Sequence, residues 1–155
     1  MMMAKKKMNP WVKRLLLVVL LLLITGSIAI WYIFTEKFAD TKEHKADYTV
    51  NAMSLLNEFQ QNDSAANKKY TEKIIVVNGR IGETEIASDS SVNIKIIDTL
   101  TDAYIIFAFQ QQHLAEAKQL KIGDSVSIKG SLSNGVYSEI LETYSVNFKR
   151  CTLNK

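Results

Sequence analysis

The sequence predicts a mainly β domain with helices, built in the order β-β-β-α-β-β, behind two short amphipathic helices and an N-terminal transmembrane helix. Three patterns in the 155 residues lead to this fold class. An uncharged apolar run lies near the N-terminus, apolar residues at helical spacing follow it, and from residue 73 onward many apolar residues recur at every second position. Because side chains alternate between the two faces of a strand, the last pattern is typical of half-buried β-strands.

The apolar run from Leu15 to Phe34 is 20 residues long and carries no charge. As a helix it would be about 30 Å long, which is the thickness of the hydrocarbon core of a bilayer. Trp11 and the pair Trp31-Tyr32 flank the run at positions suited to the two membrane interfaces. Five basic residues precede it: Lys5, Lys6, Lys7, Lys13 and Arg14. By the positive-inside rule, residues 1–14 are expected in the cytoplasm, and the rest of the chain beyond a single membrane crossing.

A cleavable signal peptide is the alternative for this segment. Ser27-Ile28-Ala29 places small residues at the spacing that signal peptidase requires, so that cleavage would follow Ala29. The apolar run is, however, longer than the roughly 7–15 residues that are usual for such a peptide. Cleavage would also leave an apolar N-terminus, so we expect an uncleaved anchor in the inner (cytoplasmic) membrane.

The charge balance opposes a general nucleic-acid-binding surface. The net charge is +3, but five of the 19 Lys and Arg residues precede the anchor, leaving 14 against 16 Asp and Glu beyond it, a net of −2. Phosphate neutralisation requires a basic surplus, which the predicted extracytoplasmic part lacks. The single cysteine, Cys151, cannot form an internal disulfide. It falls in a predicted polar tail (151–155), where we expect an idle thiol; linkage of two chains is the alternative.

Residues 35–46 are predicted to form a charged juxtamembrane spacer, and residues 47–150 a single domain. Its amphipathic part is expected from Tyr48 onward. Ala52, Leu55, Leu56 and Phe59 lie at positions i, i+3, i+4 and i+7, which indicates one apolar stripe of a helix. Asn62-Asp63 offers a cap, and residues 64–70 are predicted to form a second short helix.

Five strands are predicted after these helices, and their order gives the fold. The strands are 73–81 with a bend at Gly79, 92–96, 104–109, 126–130 and 137–148. Turns are predicted at 88–91, 98–102, 121–124 and 133–135, and a helix at 110–120. Five strands with a helix between the third and the fourth match the layout of the OB-fold, a five-stranded Greek-key barrel. The two leading helices are expected to cover one end or side of this barrel.

Two segments, LLNEFQQNDSAANKKYTEKIIVVNGRI and LKIGDSVSIKGSLSNG, resemble the tRNA_anti-like family of bacterial membrane-anchored OB-fold proteins. The matching positions are Phe59, Asn62, Ala66, Tyr70, Lys73, Ile75, Val77, Gly79, Gly123, Asp124, Val126, Ile128 and Gly130. The resemblance covers residues 46–148 and implies the OB-fold and a location in a Gram-negative periplasm. It transfers no shared activity.

The candidate ligand-binding residues follow from where OB-folds bind, namely the face of the second and third strands and the loops beside it. They are Arg80, Asn93, Lys95, Tyr104, Asn134 and Tyr137. Tyrosine rings next to cations can stack on the bases of single-stranded nucleic acid. The same two rings can equally pack against the core, and Lys95 can be an ordinary solvated side chain.

No catalytic, metal-binding or cofactor-binding group is predicted. His44 and His113 are expected to be solvated, without a nucleophile or paired carboxylate at a useful spacing. The carboxylates of 83–85 and 98–102 are interpreted as polar turns, because neither segment matches a calcium loop. One class of periplasmic OB-folds carries haem through a histidine near the end of the barrel, but no histidine follows Ser138.

The sequence therefore predicts a membrane-anchored, extracytoplasmic OB-fold binding module that is not an enzyme. Its partners are expected to be the lipid bilayer, through 15–34, and an envelope protein or an oligosaccharide. The alternative is a single-stranded nucleic-acid-binding OB-fold protein, which the fold allows and which charge and location disfavour.

Overall fold

The computed structural model describes residues 10–35, 40–88 and 91–154, and the chain divides into two compact units, Met1–Ala39 and Asp40–Lys155. The first unit contains helix α1, Pro10–Thr35, whose 26 residues span about 39 Å. The apolar side chains that are described in it, from Trp11 to Ile30, are exposed, and the window Pro10–Ile28 is long and apolar enough to cross a membrane. A signal sequence would meet the same criterion. The predicted roles of Lys5 to Lys7 and of the Trp31 and Tyr32 side chains lie outside the described residues.

The second unit is built on a mixed sheet that has seven strands within the described residues. They are β1 (Tyr48–Asn51), β2 (Ile74–Arg80), β3 (Glu83–Ser88), β4 (Ser91–Ile97), β5 (Tyr104–Phe109), β6 (Ser125–Ser138) and β7 (Thr143–Leu153). Their order in the sheet is β1-β2-β6-β7-β5-β4-β3. Pairing is parallel between β1 and β2 and between β5 and β7, and antiparallel elsewhere.

The predicted count of five strands is wrong, for two reasons. The predicted first strand, 73–81, is present as β2 and pairs with β6, but a further strand, β3, follows it and pairs with β4. In addition, Tyr48–Asn51, which was expected to begin a helix, forms strand β1 beside β2. Glu83-Thr84-Glu85, expected in a turn, lies in β3. Because only Ile81 and Gly82 separate β2 from β3, and the Gly82 amide donates to the carbonyl of Lys95, the sheet curls back on itself. The middle of the predicted turn at 88–91 lies outside the described residues.

The two predicted helices are confirmed as α2 (Ala52–Gln61) and α3 (Asp63–Tyr70). The predicted stripe of α2 is buried throughout, and Asn62 caps α3 by accepting the backbone N–H of Ala65 at 2.9 Å. The ring of Phe59 lies against Gly135 of β6, where a Cβ atom would meet its Cζ at 2.9 Å. Asn67 of α3 holds the same glycine with two hydrogen bonds, at 2.7 and 2.9 Å. The helices are thereby fixed on the sheet.

The inward faces of the strands complete one core with these helices. Val92, Ile94 and Ile96 on β4 alternate with half-buried residues, as predicted, and Ile105, Phe107 and Phe109 do the same on β5. Phe107 and Phe148, paired in register on β5 and β7, bring their ring centroids to 5.1 Å. The predicted helix at 110–120 is shorter than expected: a 3-10 turn, Gln111–His113, leads into α4, Leu114–Ala117.

Residues 40–51, which we call the strap, contact several other elements of the second unit. Within it, the carboxylate of Asp40 contacts Nε2 of His113 at 2.9 and 3.0 Å, and Nζ of Lys129 donates to the carbonyl of Lys42 at 3.1 Å. Asp47 exchanges hydrogen bonds with the backbone of Ile74 just before β1 begins. The described part of the predicted spacer is therefore held on the domain. The expectation that His113 is solvated is wrong, since the residue is only 8% exposed.

The end of the sheet differs from the prediction at two places. The predicted hairpin turn at 133–135 is wrong, because β6 continues to Ser138 and the turn lies at 139–142. Tyr137 consequently belongs to β6 rather than to the last strand. β7 then runs to Leu153 through residues predicted as a polar tail, and Cys151 is completely buried. Burial raises the pKa of the Cys151 thiol well above its ordinary value.

Candidate ligand-binding face

The outward faces of β4 and β5 bring three of the predicted site residues together. Because Ile94 and Ile96 point into the core, Asn93 and Lys95 lie on the opposite face of β4. Tyr104 lies on the outward face of β5 and pairs with Ile97. Lys95 pairs with Ile106, so Tyr104 is diagonal to Lys95, two residues along β5 from its direct partner. We call the surface formed by Asn93, Lys95, Ile97, Tyr104 and Ile106 the β4–β5 face. All five residues are half-buried.

Acidic side chains compensate the cation at the centre of this face. Nζ of Lys95 lies 3.2 Å from the carboxylate of Glu83 and 3.7 Å from that of Glu85. Both glutamates are on β3, whose register places Glu83 opposite Lys95 and Glu85 opposite Asn93. Such partly exposed ion pairs add little stability. Their effect on recognition is larger, because the local charge of the three side chains is −1 rather than +1.

A pair of amides extends the face toward β6 and β7. Asn147 of β7 is in register with Ile106, and its Nδ2 donates to Oδ1 of Asn134 on β6 at 3.1 Å. The predicted candidate Asn134 therefore lies on a strand pair that adjoins the face, although the turn expected around it does not form. The face therefore offers the aromatic ring of a tyrosine, the apolar area of two isoleucines, the neutral hydrogen-bonding groups of the amides, and one lysine.

The other two predicted residues occupy different parts of the domain. Arg80 is exposed at the end of β2, in register with Ser125 of β6. Tyr137 pairs with Tyr144 across the β6–β7 hairpin, and the two ring centroids are 5.0 Å apart. Gly135, two residues before Tyr137, is buried against Phe59, so the exposed Tyr137 and Asn134 lie on opposite faces of β6.

Sequence reasoning missed the two glutamates of β3 as members of the site. Glu83, Thr84, Glu85 and Ile86 alternate polar and less polar side chains, and this period of two was the available signal for a strand. Asn147, Ile97 and Ile106 were also missed. Their contribution depends on register with neighbouring strands, for which the sequence carries no local signal.

Outside the β4–β5 face, the Asp40 carboxyl has a shifted pKa and lies against His113. The described part of the chain contains no group of three or more His, Cys, Asp or Glu side chains that could hold a metal ion. The pKa of the Asp40 carboxyl is raised by burial, but hydrogen bonds from the Lys42 backbone and His113 outweigh this effect and hold the pKa below its usual value. The Asp40–His113 pair therefore fastens the strap.

Comparisons with known proteins agree with this architecture. A family model described as tRNA_anti-like matches residues 2–141. A solved lipoprotein of Klebsiella pneumoniae, for which nucleic-acid binding has been suggested, aligns with a TM-score of 0.53 at 19% identity, covering 68% of this chain and 91% of that one. At this identity the likeness supports a common fold. No curated protein matches the chain in sequence.

Two aminoacyl-tRNA synthetases also align, over about a fifth of their own length. The asparaginyl enzyme of Entamoeba histolytica has 15% identity and a TM-score of 0.37, over 53% of this chain and 20% of that one. A protein of Leishmania major described as a candidate aspartyl enzyme has 7% identity and a TM-score of 0.44, over 77% and 22%. Similarities this low carry no argument about this chain.

Proposed function

Because the chain belongs to the tRNA_anti-like family of OB-fold proteins, we propose that it is a membrane-anchored binding module without catalytic activity, whose β4–β5 face binds a neutral oligosaccharide of the cell envelope. The proposal has three parts: a closed OB barrel, an extracytoplasmic location and an uncharged ligand. Each part has its own support.

The barrel interpretation is supported by strand order. If β2 and β3 are the two halves of one bent first strand, the pairing order becomes that of a five-stranded barrel in which the first strand closes the sheet on both sides. The short strand β1 is then an addition from the strap. Closure leaves few exposed backbone groups at sheet edges, which limits edge-to-edge aggregation.

The location is supported by the N-terminal unit. Helix α1 is long and apolar enough to span a bilayer, and basic residues precede its apolar part. A basic N-terminal flank favours retention of that end in the cytoplasm, which would put the Asp40–Lys155 unit in the periplasm. A reporter enzyme fused after Lys155 tests this directly: a periplasmic phosphatase should be active, and a cytosol-only reporter should not.

The choice of a neutral ligand is based on the ion pairs of Lys95 with Glu83 and Glu85. A phosphate would have to displace these carboxylates from Nζ or accept their repulsion, whereas a neutral sugar would not. Tyr104 offers a ring on which a pyranose can lie, and Asn93 offers an amide that can pair with hydroxyls. OB-folds elsewhere bind oligosaccharides on this same face.

The test is titration of the full chain, in detergent, with neutral envelope glycans, using a chito-oligosaccharide as the first probe. Tyr104→Ala should weaken binding by about tenfold or more, as removal of a central aromatic contact does. Tyr137→Ala is the matched control, since it removes an exposed tyrosine that lies outside the face. Equal effects of the two variants, or no binding to any neutral glycan, would overturn the proposal.

Single-stranded nucleic acid is the second candidate, because the Klebsiella lipoprotein with a similar fold has been suggested to bind nucleic acid. The probe is an oligo-dT strand at about 50 mM and about 200 mM salt, since phosphate contacts make affinity fall steeply with salt. Binding that is lost with Lys95→Ala and strengthened by Glu83→Gln with Glu85→Gln would favour this candidate. Absence of binding at low salt would remove it.

A further inference from the structure

Two turns at one end of the domain expose three aliphatic side chains. Leu100, between β4 and β5, is 93% exposed, and Ile140 and Leu141, between β6 and β7, are 94% and 62% exposed. Single exposed aliphatic residues are common on soluble domains and need no explanation. These three differ because their turns adjoin: Oγ1 of Thr143 donates to the carbonyl of Thr101 at 3.3 Å. We call Leu100, Ile140 and Leu141 the apolar tip.

Hydrogen bonds hold the apolar tip in a fixed conformation. The carboxylate of Asp98 accepts from the backbone N–H of Leu100 at 3.0 Å and from the hydroxyl of Thr101 at 2.8 Å. In the other turn, Oγ of Ser138 accepts the backbone N–H of Leu141 at 3.2 Å. A loop that is already ordered loses little conformational entropy on binding, so these turns suit a contact surface better than flexible loops would.

Acidic residues flank the three aliphatic residues of the apolar tip in both turns. The two turns contribute Asp98, Asp102, Glu139 and Glu142, and segments 96–104 and 137–145 contain no Lys or Arg. We propose that the apolar tip is a docking site for a second protein, which presents an apolar side chain between Lys or Arg residues. The buried aliphatic contact would supply affinity, and the acidic rim would select basic partners. Leu100 lies in the turn that joins Ile97 to Tyr104 of the β4–β5 face, but the apolar tip shares no residue with that face, and docking there does not depend on its ligand.

The negative charge of the two turns argues against two other partners for the apolar tip, a lipid bilayer and a second copy of this chain. A bilayer surface is negatively charged where anionic lipids are present, and it would repel the four carboxylates. A second copy of this chain docked through the same tip would form a two-fold contact, which sets the four carboxylates of one copy against those of the other. A basic protein segment avoids both conflicts.

The experiment measures binding of the full chain in detergent to three synthetic peptides of equal length: one of Lys and Leu, one of Glu and Leu, and one of Lys and Ser. The Lys/Leu peptide should bind, and its affinity should fall as NaCl screens the acidic rim. The variant Leu100→Ser, Ile140→Ser, Leu141→Ser should bind at least about tenfold more weakly. Ile122→Ser is the matched control, because Ile122 is an exposed aliphatic residue in another turn and should leave binding unchanged.

Each other outcome overturns the proposal in a defined way. If the Glu/Leu peptide bound equally well, the charge of the rim would not determine which partner binds. If the Lys/Ser peptide bound equally well, the aliphatic side chains would not contribute to the affinity. Failure of all three peptides would refute docking of a basic segment. Tip-dependent binding to phosphatidylglycerol vesicles in place of the peptide would assign the tip to lipid, and tip-dependent self-association would assign it to a second copy. Circular dichroism of each variant verifies that the fold is retained.

Discussion

Substitution of Gly130 by alanine tests the register of β6 against β7. Gly130 pairs with Ile75 on one side, and on the other it lies opposite a register shift where β7 has one extra residue. Arg150, at this bulge, has a positive φ of 54°. A Cβ atom at position 130 would meet Sγ of Cys151 at 2.6 Å. This is about 1 Å shorter than an ordinary non-bonded carbon contact.

We expect Gly130→Ala to destabilise the domain by about 2–3 kcal/mol, the upper part of the range for an overpacked site, because both neighbouring strands hold the position. Cys151→Ala alone removes one buried sulfur and should cost about 1 kcal/mol. In the double variant the added methyl group occupies the space that the sulfur leaves. We therefore expect the double variant to be about as stable as Cys151→Ala, a coupling of about 2 kcal/mol.

The assay is urea unfolding of the full chain in detergent, followed by circular dichroism, with the four proteins of the cycle measured together. Gly123→Ala is the control, since φ of Gly123 is +92° and no atom lies within 4 Å of its Cβ position. Its cost is backbone strain of about 1 kcal/mol, which should add to that of Cys151→Ala without coupling. Additivity of Gly130→Ala and Cys151→Ala within about 0.5 kcal/mol would refute the packing of these strands as described.

Three further predictions concern the helices, the thiol and the strap. Asn67→Ala should destabilise the domain by about 2 kcal/mol, because it breaks both bonds to Gly135, whereas the exposed Asn57→Ala should change stability by less than about 0.5 kcal/mol. Cys151 should resist maleimide labelling in the native protein and react on unfolding; rapid native labelling would contradict its burial. The lowered pKa of Asp40 implies a stabilising contribution that is present above about pH 4 and lost as acid protonates the folded carboxyl. The protection factors of the strap amides, which are corrected for the intrinsic pH dependence of hydrogen exchange, should therefore fall on acidification, and Asp40→Asn should remove that dependence.

Local periodicity was sufficient for the elements that contact the core along one whole face. The helical stripe of α2 and the alternation of Val92, Ile94 and Ile96 each predicted a buried face, and the structure buries both. The turn predicted at Asn134-Gly135 does not form, because a contact distant in sequence determines the structure there. Its glycine is used for the close approach of the Phe59 ring, and distant contacts of this kind leave no local signal in the sequence.

The candidate face was only partly predictable, because its chemistry depends on register. Asn93, Lys95 and Tyr104 could be assigned to one surface from the alternation of their strands. The charge of that surface could not be assigned, since it depends on β3 lying beside β4 with Glu83 opposite Lys95. A shift of one residue would turn both glutamates to the other face and leave Lys95 as an uncompensated cation. The proposed preference for a neutral ligand thus rests on the pairing of β3 with β4.

The two proposed surfaces have different chemistry, and this difference allows their joint use to be tested. The β4–β5 face combines a compensated lysine with an aromatic ring, whereas the apolar tip is aliphatic with an acidic rim. If the proposed glycan and the proposed basic segment are linked in one partner, the second contact becomes intramolecular, and the joint affinity exceeds that of either contact alone. A variant of either surface should then weaken binding of the linked partner, while an isolated glycan or peptide should bind the other surface with unchanged affinity.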